Sequence, residues 1–102
     1  MARTVRWTAA AADDLANVAE FIAKDSPFYA RGMVREARAA ALSLQNFADR
    51  GRVVPECNDQ SIRELFVNQY RLIYQLTANQ VFILAFIHGA RDLSTLWQQR
   101  NS

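Results

Sequence analysis

The apolar residues of this chain change their period once, and that change limits the fold more than any other feature. Up to residue 48 they recur every three or four positions, as on a helix face, whereas from residue 61 they alternate or run continuously, as in strands. Ala11, Leu15, Val18 and Phe21–Ile22 form the apolar side of a first amphipathic helix, about Ala9 to Lys24. Asp13, Asp14, Asn17 and Glu20 take its other side. Thr8 is placed to cap it, and Asp13 and Asp14 near its start would favour its positive end. Asp25-Ser26-Pro27 is a sharp boundary, with Ser26 able to cap a new helix and Pro27 suited to its first position. The second helix is expected to reach about Ala48, with Ala30, Val34, Ala37, Ala41, Leu44 and Phe47–Ala48 on one face and Arg31, Arg35, Arg38 and Gln45 outward. Gly32 in this helix costs about 1 kcal/mol against alanine. So short a link between two helices requires an antiparallel hairpin.

Thr4 to Trp7 reads as a short N-terminal strand, with Val5 and Trp7 alternating against Thr4 and Arg6. After Arg50-Gly51-Arg52 the helical half ends. Ser61 to Val67 is β-prone, and Asn68-Gln69 offers a tight turn. Tyr70 to Thr77 alternates, with Tyr70, Leu72, Tyr74 and Leu76 on one face and Arg71, Ile73 and Gln75 on the other. Ala78-Asn79-Gln80 is the next turn. Val81 to His88 is apolar on both faces, as a central strand covered on both sides would be. Asp92 to Arg100 forms a short final helix or a tail. The short links require antiparallel neighbours. The expected class is therefore α+β: an N-terminal strand and a two-helix hairpin packed on a mostly antiparallel sheet of three to four strands.

A length of 102 residues corresponds to a single domain, 1–102. Hydrophobic residues at 51% and charged residues at 22% exclude a disordered tail. The longest apolar run, Val81 to Ile87, is far below the roughly 20 residues that span a bilayer. The N-terminus lacks the apolar core of a secretion signal, so the expected location is the cytoplasm, with no membrane partner. Cys57 and His88 are the only residues of their types, which excludes an internal disulfide and a zinc cluster; no metal or other cofactor is expected. The net charge of +2 is a mild excess, divided evenly between the halves, so any basic face must arise by folding. Eleven of the twelve basic residues are arginine, the better residue for forked recognition of carboxylate or phosphate; a GC-rich genome would give the same bias.

Gly32, Gly51 and Gly89 stand apart, so there is no phosphate loop. Neither a nucleophile triad nor a carboxylate pair has suitable spacing. What remains is Ile87-His88-Gly89-Ala90-Arg91-Asp92, at the end of the central strand. Arg71 starts the neighbouring antiparallel strand and should lie close to His88, with Arg63 and Arg52 preceding it. Such a group could bind a phosphodiester, stabilise developing negative charge and donate a proton. The alternative is structural: Arg91-Asp92 capping the last helix, and His88 a satisfied strand-end residue. Trp7 and Trp97 read as core or lid packing, Tyr70 and Tyr74 as core, and Glu56 and Glu64 as ion-pair partners for arginine.

Taken together, Trp7-Thr8, Ala12-Asp13-Asp14-Leu15, Phe21-Ile22, Ser26-Pro27, Gly51-Arg52-Val53-Val54-Pro55-Glu56, Ile62-Arg63-Glu64-Leu65, Tyr70-Arg71-Leu72-Ile73-Tyr74 and the segment from Val81 to Asp92 make a sequence that resembles the ParE/RelE toxins of type II toxin–antitoxin modules. The resemblance implies a toxin held in a hetero-oligomer by a cognate antitoxin, with operator DNA bound only through the antitoxin. Two branches differ in target. RelE-like members cut mRNA in the ribosome, and ParE-like members poison DNA gyrase without nuclease activity. Arg71 and Arg91 match positions of RelE-like catalytic arginines. The tyrosine expected six residues after Arg91 is replaced by Trp97, which would leave His88 as proton donor in a nuclease. The Pro55-Glu56 and Ile62-Arg63-Glu64-Leu65 elements resemble the ParE branch, which is the favoured reading; there no residue is catalytic, and Arg52, Arg63, Arg71, His88, Arg91 and Trp97 are candidates for target or antitoxin binding. A third reading is a non-toxic binding subunit on the same fold.

Overall fold

The computed structural model describes residues 2–101. The elements are β1 (Thr4–Trp7), α1 (Ala9–Ala23), α2 (Pro27–Ser43), β2 (Arg52–Val53), β3 (Ile62–Val67), β4 (Tyr70–Leu76), β5 (Gln80–His88) and α3 (Leu93–Asn101). Both helix starts follow their sequence signals. The Thr8 hydroxyl accepts from the Ala11 N–H at 3.2 Å and the Ser26 hydroxyl from that of Tyr29 at 3.2 Å, with Pro27 in the first turn. Asp13 and Asp14 lie beyond the first turn of α1, so the expected benefit at the helix start does not arise. Helix α2 stops at Ser43 rather than Ala48. The Ser43 hydroxyl donates to the Ala40 carbonyl at 2.6 Å, and tight three-residue turns follow at Leu44 and Gln45. Leu44 and Ala48 stay buried, so the apolar pattern outlasts the helix.

The sheet has five strands in the order β1-β5-β4-β3-β2. The expectation of three to four strands missed the two-residue β2, which pairs with β3 through Arg52↔Glu64 and Val53↔Arg63. The sheet is also mixed, because β1 runs parallel to β5 from Thr4↔Gln80 to Trp7↔Ile83. The crossover that parallel pairing requires runs through the hairpin α1–α2 to the far edge of the sheet and returns through β2, β3 and β4. β3, β4 and β5 are antiparallel neighbours. At the β3–β4 turn Asn68 has φ of 56°, a region that asparagine enters at lower cost than most residues.

Register between β4 and β5 slips by one: Tyr74 faces Ile83, but Ile73 faces Ala85, leaving Leu84 as the added residue of a bulge. Val81, Ile83 and Phe86 therefore join Leu72, Tyr74, Leu15, Ala37, Ala41 and Leu44 in the core under the hairpin. Ala85 and Ile87 turn to the outer face, where they meet Val54, Ile62, Ile73 and, from α3, Leu93 and Leu96. β5 is thus covered on both sides, and the C-terminal segment is a helix. Beyond Trp7, β5 has no strand neighbour on the β1 side. There the Phe86 N–H donates to Asp14 Oδ2 at 3.0 Å and the Leu84 carbonyl accepts from Arg100 Nη1 at 2.9 Å. Asp14 Oδ1 and Arg100 Nη2 close the bracket at 2.7 Å, pinning α3 to α1 across the bulge. No helix among the described residues is long and apolar enough to cross a membrane.

Candidate functional site

The six candidate residues occupy two surfaces. Arg71 lies on the outer face of the sheet, in β4, with only 5% of its side chain exposed. Its Nη1 and Nη2 donate to the two oxygens of Glu56 at 2.9 and 3.0 Å, and its Nε donates to Glu64 Oε1 at 2.6 Å. Arg52 donates through Nε to the other oxygen of Glu64 at 2.5 Å, and its guanidinium lies 5.6 Å from the centroid of the exposed Phe66 ring. Two arginines and two carboxylates make a neutral quartet. Hydrogen bonding to Arg71 holds the Glu56 carboxyl below its ordinary range, and hydrogen bonding to Glu56 raises the Arg71 guanidinium further. Glu56 and Glu64 are thus the arginine partners that the sequence suggested.

Arg63 points to the hairpin side. Its Nη1 donates to the Gly51 carbonyl at 3.0 Å and, at the limit of bonding distance, to that of Asp49 at 3.5 Å. Its Nε is buried without a hydrogen-bond partner among the described residues. Here Gly51 permits a close approach: a Cβ on it would sit 2.6 Å from the Glu64 carbonyl oxygen. The Tyr74 hydroxyl accepts from the Gly51 N–H at 3.0 Å and donates to the Ala48 carbonyl at 2.8 Å. Burial pushes that hydroxyl up from its ordinary range, so it remains a donor.

His88 and Arg71 are neighbours in register, since Tyr70 pairs with His88 and Arg71 with Ile87. Their side chains nevertheless leave opposite faces, because adjacent positions on a strand alternate. The His88 ring stands edge-on to Tyr70 at 5.6 Å, and Tyr70 stacks on Phe86 at 5.3 Å, on the side of α1. The Ala90 N–H donates to His88 Nδ1 at 3.1 Å, which leaves Nε2 as the donor of the neutral ring. His88 and Arg91 together border a cleft of about 370 Å³ against Asp14, Asn17, Val18 and Phe21 of α1. Asp92, not Arg91, caps α3: its carboxylate accepts from the Ser94 N–H at 3.0 Å and the Thr95 hydroxyl at 2.9 Å. The sequence reading missed Asn17 and Phe21 as cleft residues, because helix periodicity says which side is polar but not what a strand end will place beside it.

Trp97 packs on the outer apolar cluster and lines a second cleft of about 530 Å³ with Cys57, Asp59, Gln75, Leu84 and Arg100. Burial pushes the Cys57 thiol up, away from the thiolate that nucleophilic chemistry needs. Among the described residues no group of three or more His, Cys, Asp or Glu could hold a metal ion. The geometry therefore offers a carboxylate-saturated arginine on one face and a donor-rimmed aromatic cleft on the other.

A helix hairpin on a mixed five-stranded sheet with a short terminal helix agrees with the fold that the resemblance to ParE/RelE toxins implied. The family described as the ParE toxin of the type II toxin–antitoxin system parDE matches residues 5–93, and the chain belongs to that family. It is similar to Toxin RelE2 of Caulobacter vibrioides, with 34% identity over 92 residues that cover 89% of this chain and 99% of the relative. Among solved structures, the chromosomal ParDE TA system from P. aeruginosa matches with a TM-score of 0.69 at 20% identity, over 84% of this chain and 95% of the other. The toxin–antitoxin complex RelBE2 from Mycobacterium tuberculosis matches with a TM-score of 0.57 at 24% identity, over 86% and 99%. The chain is thus a type II toxin of the ParE/RelE superfamily, and the last two likenesses speak to its fold alone.

Proposed function

We propose that this toxin is ParE-like: it arrests growth by binding DNA gyrase, without a catalytic step, and a cognate antitoxin neutralises it. The observation that carries the reading is the state of Arg71. A catalytic arginine must offer its donors to the reacting phosphate, whereas all three nitrogens of this guanidinium already donate to Glu56 and Glu64. His88, the proton donor a nuclease would need, is on the other face of the sheet, and Trp97 stands where a tyrosine would serve. Arg91 and His88 then belong to a binding surface, with Arg52 at the rim of the outer face. The family to which the chain belongs is that of a type II toxin–antitoxin system, which supports an antitoxin partner here.

A second reading, RelE-like cleavage of ribosome-bound mRNA, draws on the name of the Caulobacter relative. One pair of assays separates them. The purified chain should inhibit DNA supercoiling by gyrase and leave mRNA intact in a translating extract. Cleavage of mRNA, abolished by His88→Ala, would reverse the assignment.

A further inference from the structure

Residues 55–61, between β2 and β3, leave the sheet as a loop with both ends fixed. Val54 and Ile62 are buried, and the Val54 N–H donates to the Ile62 carbonyl at 3.0 Å, closing the base of the loop. Pro55, Asn58, Asp59 and Gln60 are exposed, so little apolar burial holds the span itself. Its own bonds are local. The Asp59 carboxylate accepts from the Ser61 N–H and hydroxyl at 2.9 and 2.7 Å, and the Ile62 N–H donates to the Asp59 carbonyl at 3.0 Å. What draws the span onto the outer face is Glu56, through its two bonds to Arg71. Just beyond it, Cys57 and Asp59 form part of the wall of the cleft of about 530 Å³ that Gln75, Leu84 and Trp97 also line.

The two partners of this ion pair are held unequally. Arg71 is almost fully buried and keeps its bond to Glu64 Oε1 at 2.6 Å when Glu56 leaves. Glu56 is a third exposed and rides on a span that can turn about its closed base. The latch can therefore open without unfolding the sheet. We propose that residues 55–61 are a latched strap. With Glu56 on Arg71 the strap walls the outer cleft; with that pair broken it swings off the outer face and widens the cleft beside Trp97. The open fraction follows the strength of the latch directly, because the two states differ chiefly by that interaction. One ion pair thus couples the arginine–carboxylate quartet to the width of the cleft next to it. The device does not depend on whether the target is gyrase or the ribosome.

Cys57 is the chain's single cysteine, so its alkylation by iodoacetamide reports the strap in the full chain without added labels. Burial, and after it the neighbouring Glu56 charge, hold its thiol up, so removing that charge would by itself speed the reaction. Two variants separate the causes. Glu56→Gln removes the charge, whereas Glu56→Asp keeps it on a side chain one methylene shorter, which cannot keep both bonds to Arg71. Both should be alkylated about tenfold faster than wild type, as loss of a charge-assisted pair implies. In all three proteins the rate should be nearly flat in urea below the unfolding transition, because swinging the strap exposes little surface. Acceleration in Glu56→Gln alone would reduce the effect to thiol ionisation and overturn the latch. So would wild-type rates in both variants, or rates that climb with urea as steeply as global unfolding does.

Discussion

Replacing Arg71 by methionine tests whether that side chain is a structural keystone. Methionine keeps much of the apolar length and removes the charge. Glu56, a third exposed, can turn to solvent, so its loss of a partner is mild. Glu64 cannot: its side chain is fully buried, and it would keep only Arg52, whose own side chain is 61% exposed. Breaking a buried pair from one side costs about 3–5 kcal/mol, and the surviving bond to Arg52 places Arg71→Met near the lower figure, about 3 kcal/mol. For a chain of this size that corresponds to a fall in Tm of roughly 12–20 °C. Urea unfolding followed by circular dichroism would measure it as a shifted midpoint with unchanged slope. The double variant Arg71→Met, Glu64→Leu removes the stranded charge as well and should recover much of the loss. A single-variant loss below about 1 kcal/mol, or a double variant worse than the single, would refute the argument from a buried unpaired carboxylate.

The Glu56 carboxyl is depressed in the folded state, so its contribution is complete above the ordinary glutamate range and disappears as pH falls through the folded value. The stability gap between wild type and Glu56→Gln, measured by urea unfolding, should therefore be open at pH 7 and close progressively below about pH 4. Tyr74→Phe should cost about 1–3 kcal/mol in the same assay, because the Ala48 carbonyl and Gly51 N–H both lose a buried partner. Gly32→Ala should stabilise by about 0.5–1 kcal/mol, since Gly32 is helical and a Cβ there meets nothing within 4 Å. A destabilised Gly32→Ala would contradict the open space beside α2 at this position.

Much of the architecture could be read from the chain because local signals and burial agree. Thr8, Ser26 and Pro27 mark helix starts by backbone chemistry alone, and the alternation from Tyr70 to Leu76 is a strand face carried through intact. The parts that escaped are those where tertiary pairing decides. Arg52–Val53 has no strand pattern in two residues and is a strand only because β3 lies beside it. The parallel docking of β1 depends on the crossover, which periodicity does not encode. At the site, strand adjacency brought Arg71 and His88 to neighbouring positions, but parity along the strands sent them to opposite faces. Asp14, expected on the polar side of α1, is drawn to the bulge at Leu84, whose backbone groups require partners that only the folded chain reveals.

The central claim is toxicity by binding rather than by RNA cleavage, and it is tested most directly by tightly induced expression of the chain without an antitoxin, with pulse labelling of DNA and protein synthesis. The account predicts that DNA synthesis fails first, with a DNA-damage response, and that His88→Ala remains free of any nuclease phenotype to lose. Arrest of protein synthesis ahead of DNA synthesis, relieved by His88→Ala, would contradict it.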